Sequence, residues 1–144
     1  MRIYTIGFSK KNLKTFIGKL KDAGVTRLID IRLHNTSQLA GYAKKDDLEY
    51  ILSLVGIDYE HHPELAPTDE ILKNYKNKKI TWNEYEQRFK EILSSRNLSR
   101  ENIFPQQGGV SCLLCAEDKP ARCHRRLVAE HFKNEDRNLE IVHL

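Results

Sequence analysis

Three cysteines and a histidine form the group of residues best suited to chemistry. Cys112, Cys115 and Cys123 fall within twelve residues, and His124 follows the last of them directly. A thiolate is a strong nucleophile, and a neighbouring histidine that titrates near neutral pH can serve as its base. The segment therefore predicts a site of thiol chemistry, with Cys115 or Cys123 as the nucleophile and His124 as a base or hydrogen-bond donor.

Strand alternation separates two of these cysteines. Because successive side chains of a strand point to opposite faces, Cys115 shares a face with Leu113 and Glu117, whereas Cys112 lies on the other face. Cys112 and Cys115 then cannot hold a metal together, and the cysteine spacing is not that of a standard zinc knuckle. We therefore expect no metal and no cofactor. Simple burial is the competing explanation for each cysteine, above all for Cys112.

Cys123 is expected to be the most reactive thiol. Pro120 suits the first turn of a helix, which places Cys123 near the positive end of the helix dipole and beside arginines. The carboxylate of Glu117 opposes the ionisation of Cys115. The predicted order of alkylation is Cys123 first, Cys115 second and Cys112 last.

A second polar group follows the strand predicted over residues 27–31. Asp30 and Arg32 lie two positions apart and share one face of that strand. The carboxylate can act as a base or an orienting group, and the guanidinium can clamp an anion. A capping aspartate and an ion-paired arginine are the structural alternatives. The loop that follows supplies neutral donors and acceptors, among them Asn35 and Ser37, which suit a ligand wall.

Three further residues complete the candidate site. Ser9 follows the first predicted strand, and His61 is the member of the His61-His62 pair that we expect to face the site. Arg125 is next to His124 and would bind an anion. The predicted catalytic residues are Asp30, Cys115, Glu117, Cys123 and His124, and the predicted binding residues are Ser9, Arg32, Asn35, Ser37, His61 and Arg125.

The elements that must position these residues alternate along the chain. Strands are predicted over residues 2–6, 27–31, 57–60, 110–116 and 139–142, with helical apolar spacing between them. This order implies a single α/β domain whose mostly parallel sheet of about five strands carries helices on both faces. Because ligands bind beyond the carboxyl ends of parallel strands, the polar residues should meet at that edge.

Helix starts and helix faces have sequence signals of their own. The expected starts are Ser9 as an N-cap, capping boxes at Asp46 with Glu49 and at Thr81 with Glu84, and Pro120 in a first turn. Trp82, Tyr85 and Phe89 follow helical spacing, which predicts that they belong to the core.

Composition limits the partners of this 144-residue chain. Lysine and arginine number 24 against 20 acidic residues, a net charge of +4 that favours small anionic ligands and only weak nucleic-acid binding. No apolar stretch approaches the roughly 18 residues of a membrane span, so we expect a cytoplasmic protein without membrane contact. An odd cysteine count argues against a disulfide framework. The oligomeric state is left open.

Several of these motifs together resemble one protein family. They are Thr5-Ile-Gly-Phe-Ser9, Asp30-Ile-Arg32, Tyr59 with His61 and Pro63, and Cys115-Ala-Glu117 with Pro120 and Cys123-His-Arg125. In order and spacing, over nearly the whole chain, they are similar to the family called domain of unknown function 488 (DUF488). The segment Asn35-Thr-Ser-Gln-Leu-Ala-Gly41 is similar to one subgroup of that family. The resemblance implies an α/β fold and a site where the motifs meet, and it implies no reaction.

We predict an enzyme that acts on a small anionic or nucleotide-like substrate at the carboxyl edge of the sheet. Arg32 and Arg125 would hold the anion, Asp30 or Glu117 would act as general base, and one of the thiols as nucleophile. The alternative is a non-catalytic module that binds a nucleotide or nucleic acid in the same crevice. A rhodanese-like sulfur transferase is a third reading, suggested by the segment Leu28-Ile-Asp-Ile-Arg32 at a strand exit.

Overall fold

The fold is a five-stranded, wholly parallel sheet, given by a computed structural model that describes residues 1–104 and 108–144. The strands are β1 (Arg2–Gly7), β2 (Arg27–Asp30), β3 (Asp58–His61), β4 (Ser111–Cys115) and β5 (Glu140–His143). Their order across the sheet is β3-β2-β4-β1-β5. The predicted α/β class is confirmed. β4 lies between β2 and β1, so the ends of β2 and β4 are neighbours at the carboxyl edge.

Helices cover both faces of the sheet. They are α1 (Leu13–Asp22), α2 (Lys45–Leu54), α3 (Asp69–Lys76), α4 (Trp82–Ser95), α5 (Arg100–Ile103) and α6 (His124–Glu135), with short 3-10 segments at Gln38–Ala43 and Pro63–Leu65. The core of one face packs α1 and α2 on the sheet, and the core of the other packs α3 to α6. Within the described residues, no helix has the length and apolar character that crossing a membrane requires.

The alternation of β4 is as predicted. Leu113 and Cys115 point into the core under α3 to α6, whereas Cys112 and Leu114 point into the core under α1 and α2. The sheet itself therefore separates the side chains of Cys112 and Cys115. Cys112 is fully buried far from the carboxyl-edge crevice, in the place expected of a packing residue.

One of the four helix starts predicted above agrees with the structure. At α4, the Thr81 side chain accepts a hydrogen bond from the Glu84 backbone and the Glu84 carboxylate accepts one from the Thr81 backbone, which completes the predicted capping box. The prediction for α2 was wrong, because Lys44 occupies the N-cap position and makes no side-chain cap. The extended backbone of Lys44 separates the 3-10 segment from α2, and the helix begins at Lys45, one residue ahead of the expected box at Asp46.

Two other expected starts were also wrong. The N-cap of α1 is Asn12, whose side chain accepts from the Thr15 N–H, while the N–H of Ser9 is bound to the Ala116 carbonyl in an interstrand connection. Pro120 precedes α6 rather than opening it. Its carbonyl accepts the Cys123 N–H at 3.1 Å in a turn, and Cys123 itself is the N-cap residue.

Candidate functional site

The loop that follows β4 is fixed against the end of β1. The backbone N–H of Phe8 donates to the Cys115 carbonyl at 3.3 Å. Gly7 lies directly under this loop, where a Cβ atom would sit 1.6 Å from the Glu117 carbonyl oxygen. Only glycine leaves room for the approach, and Lys11 adds an ion pair to Asp118 at 2.6 Å. The backbone that carries Cys115 and Glu117 is therefore held in one position.

Arg125 supports the same loop from below. Its fully buried guanidinium donates to the carbonyls of Glu117 and Asp118, and its Nε donates to Thr5 Oγ1 at 3.1 Å. The sequence suggested Arg125 as an anion ligand, but its donors are directed at two backbone carbonyls and the Thr5 hydroxyl of the protein itself. Its geometry is that of a positioning residue.

Cys115, Cys123 and His124 form a buried group that we call the thiol cluster. Their sulfur and ring-nitrogen atoms all lie within 4.8 Å of one another, and each residue is 6% exposed or less. Cys115 Sγ lies 3.4 Å from His124 Nδ1 and 3.8 Å from Nε2. His124 Nε2 lies 2.7 Å from the Ile31 carbonyl, so Nε2 carries the proton and Nδ1 is unprotonated.

The thiol cluster reverses the predicted order of thiol acidity. The Cys123 thiol donates a hydrogen bond that lowers the pKa of Cys115, and the backbone N–H groups of Ala116 and Glu117 support the thiolate against the cost of its burial. The same interaction and burial raise the pKa of Cys123. Because the Cys123 thiol donates its proton to this hydrogen bond, it stays protonated, although Cys123 stands at a helix N-terminus. Burial also raises the pKa of Cys112.

His124 is placed to act as a base. Burial lowers its pKa below the usual value, against smaller contributions from the Cys123 thiol and the Ile31 carbonyl that raise it. The ring is therefore neutral at pH 7, and its unprotonated Nδ1 lies 3.4 Å from Cys115 Sγ. A nucleophile next to an oriented base is the arrangement that covalent catalysis requires.

The same three side chains also form a donor set for a thiophilic metal. Our expectation of no metal depended on the pair Cys112 and Cys115, which do lie on opposite faces. Cys115, Cys123 and His124 lie together instead, and two thiolates with one imidazole are ligands that Zn²⁺ accepts. A ring nitrogen bonded to a backbone carbonyl is also the usual support of a metal-binding histidine.

A pocket of about 240 Å³ opens onto the thiol cluster. Its lining comprises Arg32, Leu33, His34, Leu72, Tyr75, Trp82, Tyr85, Cys115, Ala116, Glu117, Arg122, Cys123 and His124. The pocket lining thus brings together Arg32, Glu117 and the thiol cluster, whereas Asp30 and Ser9, which the sequence placed at the same concavity, are not part of it. A larger groove of 470 Å³ between α4 and α6 contains none of the predicted site residues.

An aromatic wall, formed by Tyr75, Trp82 and Tyr85, lines one side of the pocket. Trp82 and Tyr85 are stacked with ring centroids 4.6 Å apart, and Tyr75 meets Tyr85 edge-on at 5.2 Å. We expected Trp82 and Tyr85 only in the core, and Tyr85 is indeed buried. Trp82 and Tyr75 are partly exposed at the joint of α3 and α4. The sequence signal that could have predicted this wall is the presence of three aromatic residues within eleven residues of a short helical hairpin.

Asp30 belongs to a separate group, the carboxylate cluster, which comprises Asp30, Arg32, Asn35 and Tyr59. Asp30 is fully buried and accepts from Arg32 Nε at 2.9 Å, from Arg32 Nη2 at 2.8 Å and from Tyr59 Oη at 2.6 Å. Asn35 Nδ2 donates to the same carboxylate at 3.2 Å. Burial raises the pKa of Asp30, but the bonds and charge of Arg32 outweigh it, and the net pKa is lowered.

The remaining predicted residues lie outside the pocket lining. Ser37 is an exposed N-cap whose Oγ accepts from the Leu39 N–H at 3.1 Å. His61 Nε2 contacts the Arg32 carbonyl at 2.7 Å and so steadies the end of β2. Ser9 uses its backbone N–H to hold the loop after β4. Their contacts are local supports of the backbone, next to the site rather than within it.

Fold and site together define a parallel α/β protein with a thiol–histidine pair in a crevice at the carboxyl edge of its sheet. A family model described as "Domain of unknown function DUF488" matches residues 12–132, and the chain belongs to that family. The matched range includes both clusters. No curated protein and no solved structure matches the chain.

Proposed function

We propose that this protein is an enzyme that uses Cys115 as a nucleophile on a small substrate carrying a planar ring and an anionic group. The observation that carries the proposal is the 3.4 Å contact between Cys115 Sγ and His124 Nδ1 in the wall of the pocket. Cys115 is the thiol whose pKa is lowered, and Cys123 and His124 are its immediate partners.

The chemistry follows from the tautomer of His124. When Cys115 is protonated, Nδ1 of His124 accepts its proton, and the sulfur forms a bond to an electrophilic carbon of the substrate. The bond from that carbon to the leaving group breaks, and the leaving group takes the proton from Nδ1. The Ile31 carbonyl holds Nε2–H throughout and stabilises the positive charge that the ring carries between these two transfers.

The aromatic wall and the charges at the pocket suggest the substrate class. Trp82 and Tyr75 offer partly exposed ring surface on which a planar group can stack. Arg122, exposed at the pocket, can bind an anionic group, while Arg32 is largely neutralised by Asp30. A volume of 240 Å³ is below the roughly 300–1,000 Å³ of sites for drug-sized ligands, which favours a small ligand over nucleic acid.

A metal-dependent enzyme is the second candidate, and the donor set of the thiol cluster favours it. With Zn²⁺ on Cys115, Cys123 and His124, the fourth coordination position would be open to ligands from the pocket. Elemental analysis of the purified protein separates the two candidates. Stoichiometric zinc that is lost from a Cys123→Ser variant would support the metal and overturn the nucleophile.

The test of the nucleophile is alkylation of the native protein by iodoacetamide, with each cysteine followed by peptide mass spectrometry. Nucleoside monophosphates, free nucleosides and inorganic phosphate serve as probes of the pocket. We expect Cys115 to be labelled first, and nucleoside monophosphates to slow its labelling and to raise the Tm. Free nucleosides and phosphate should each protect less, because each makes only half of the contacts.

Two results would contradict the proposal. Labelling of Cys115 no faster than that of Cys112 would mean that the thiol is a packing group. Protection and a raised Tm without any thiol reactivity would favour the non-catalytic binding module. Cys112→Ser is the matched control, because it removes the thiol on the opposite face of β4. The proposal also requires reduced thiols, which suits a protein of the cytoplasm.

A further inference from the structure

We propose that Cys115 and Cys123 form a redox-active pair, in which a hydroperoxide oxidises Cys115 and Cys123 then closes a disulfide to it. This activity needs no organic substrate and so goes beyond the proposed function. It rests on the juxtaposition of two free thiols, Cys115 and Cys123, in the wall of one pocket. The third thiol, Cys112, is buried on the opposite face of the sheet.

The positions of the sulfurs suit such a pair. The Sγ atoms of Cys115 and Cys123 lie within 4.8 Å of each other, and a disulfide needs about 2.05 Å. Closing the bond requires the two side chains to rotate about their Cα–Cβ bonds. Cys123 is the N-cap of α6 and makes no side-chain cap there, so its thiol can turn toward Cys115 without breaking a helix cap.

The surroundings divide the roles between the two sulfurs. Backbone N–H groups of Ala116 and Glu117 face the Cys115 sulfur and the Cys123 thiol lies beside it, so negative charge is better stabilised on Cys115 than on Cys123. Cys123 keeps its proton and lies next to the reacting sulfur. An ionised attacking thiol with a protonated neighbour is the arrangement of redox-active cysteine pairs.

The reaction balances in two steps. The Cys115 thiolate attacks one oxygen of a hydroperoxide, the O–O bond breaks, and an S–O bond forms. The sulfur is oxidised to a sulfenic acid, and the leaving oxygen takes a proton to become water or an alcohol. The Cys123 sulfur then attacks the Cys115 sulfur. An S–S bond forms, the S–O bond breaks, and hydroxide leaves with the Cys123 proton as a second water. A small thiol reductant restores both thiols.

Peroxide treatment of the full-length protein tests the pair without any substrate. In the wild type we expect a disulfide between Cys115 and Cys123 on peptide mapping, reversed by dithiothreitol, with Cys112 unmodified. In Cys123→Ser, no disulfide can form, so Cys115 should stay as the sulfenic acid, which dimedone traps. Without dimedone, further peroxide should oxidise it to the sulfinic acid. Serine at this N-cap can accept a first-turn N–H, so this variant keeps the start of α6. Cys115→Ser should leave Cys123 reduced, and Cys112→Ser should behave as the wild type.

Three outcomes would overturn the pair. They are sulfinic acid at Cys115 of the wild type without a disulfide, oxidation of Cys123 in Cys115→Ser at the wild-type rate, and disulfides only between chains. Failure here is distinguishable from failure of the proposed function. A protein whose Cys115 is alkylated by iodoacetamide but never joins Cys123 has the nucleophile and lacks the redox pair.

Discussion

The carboxylate cluster at the end of β2 and the thiol cluster at the end of β4 are both buried, yet they differ strongly in how their polar atoms are hydrogen-bonded. The carboxylate of Asp30 accepts from Arg32, Asn35 and Tyr59, and the Arg32 guanidinium also donates to the Ala43 carbonyl at 2.8 Å. In the thiol cluster the contacts of sulfur are long, and one flank faces the pocket.

This difference in hydrogen bonding suits the carboxylate cluster to a structural role and the thiol cluster to a reactive one. A buried carboxylate that is paired with a guanidinium cannot accept a proton without leaving the guanidinium charge uncompensated. Sulfur forms weak hydrogen bonds, so Cys115 can lose its proton, or form a new bond, at small cost to its neighbours. The sequence proposed Asp30 as a catalytic base. We infer that Asp30 instead holds the end of β2, from which the Ile31 carbonyl orients His124.

The largest expected effect is on stability, at the carboxylate cluster. Asp30→Asn should lower the free energy of unfolding by about 3–5 kcal/mol, because it leaves the buried Arg32 charge without its partner. Chemical denaturation measures this change. Asp58→Asn makes the same substitution at an exposed position and should stay within about 0.5 kcal/mol of the wild type. Equal effects at the two positions would mean that the buried pair of Asp30 and Arg32 does not support the fold.

The next effect is kinetic, and it compares two cysteines of one strand. At pH 7, Cys115 should react with iodoacetamide at least about 100-fold faster than Cys112, since only Cys115 has a lowered pKa and a pocket in front of it. The rate at Cys115 should rise with pH and level off below the usual thiol pKa of roughly 8.5. A rate that keeps rising past that pH would show an ordinary thiol.

His124→Gln should slow the alkylation of Cys115 by roughly tenfold at pH 7. Glutamine can still donate to the Ile31 carbonyl, but it cannot take up a proton as Nδ1 does. His131→Gln, on the outer part of α6, is the matched control and should leave the rate unchanged. Should the two variants react alike, His124 would be a structural residue and the base would have to be sought elsewhere.

A smaller effect is expected at the aromatic wall. Trp82→Ala should weaken the binding of a protecting nucleoside monophosphate by about 1 kcal/mol, at the low end of the range for stacking, because Trp82 offers only part of its ring. Titration monitored by protection of Cys115 measures this. Free phosphate should protect the variant and the wild type equally. A loss of phosphate protection would mean that the substitution had disturbed the pocket itself.

The pH dependence of stability should be the smallest effect near neutrality. The pKa of Asp30 is lower in the folded protein than in the unfolded chain, so its contribution is fully present above the unfolded value of about 3.9. That contribution is lost as the pH falls through the folded value. Denaturation curves of the wild type and Asp30→Asn should therefore run parallel above pH 5 and converge in stronger acid. Convergence already at neutral pH would contradict the lowered pKa.

Local sequence alone determined much of this protein. Strand periodicity assigned Cys112 and Cys115 to opposite faces of β4, and the spacing of Thr81 and Glu84 gave the start of α4. The alternation of strands and helices gave the parallel sheet, and therefore the edge at which the motifs meet. Each of these features depends on neighbours within a few residues along the chain, which is why it can be predicted without the fold.

Only the tertiary structure decided which polar residues are supports and which are reactive. His124 is oriented by the Ile31 carbonyl, 93 residues away in sequence. The Arg125 guanidinium donates its hydrogen bonds to Thr5 and to the loop after β4. The acidity of Cys115 over Cys123 depends on which sulfur donates to the other. Proton affinity and reactivity are set by burial and by atoms brought together through the sheet order, and no local pattern records those contacts.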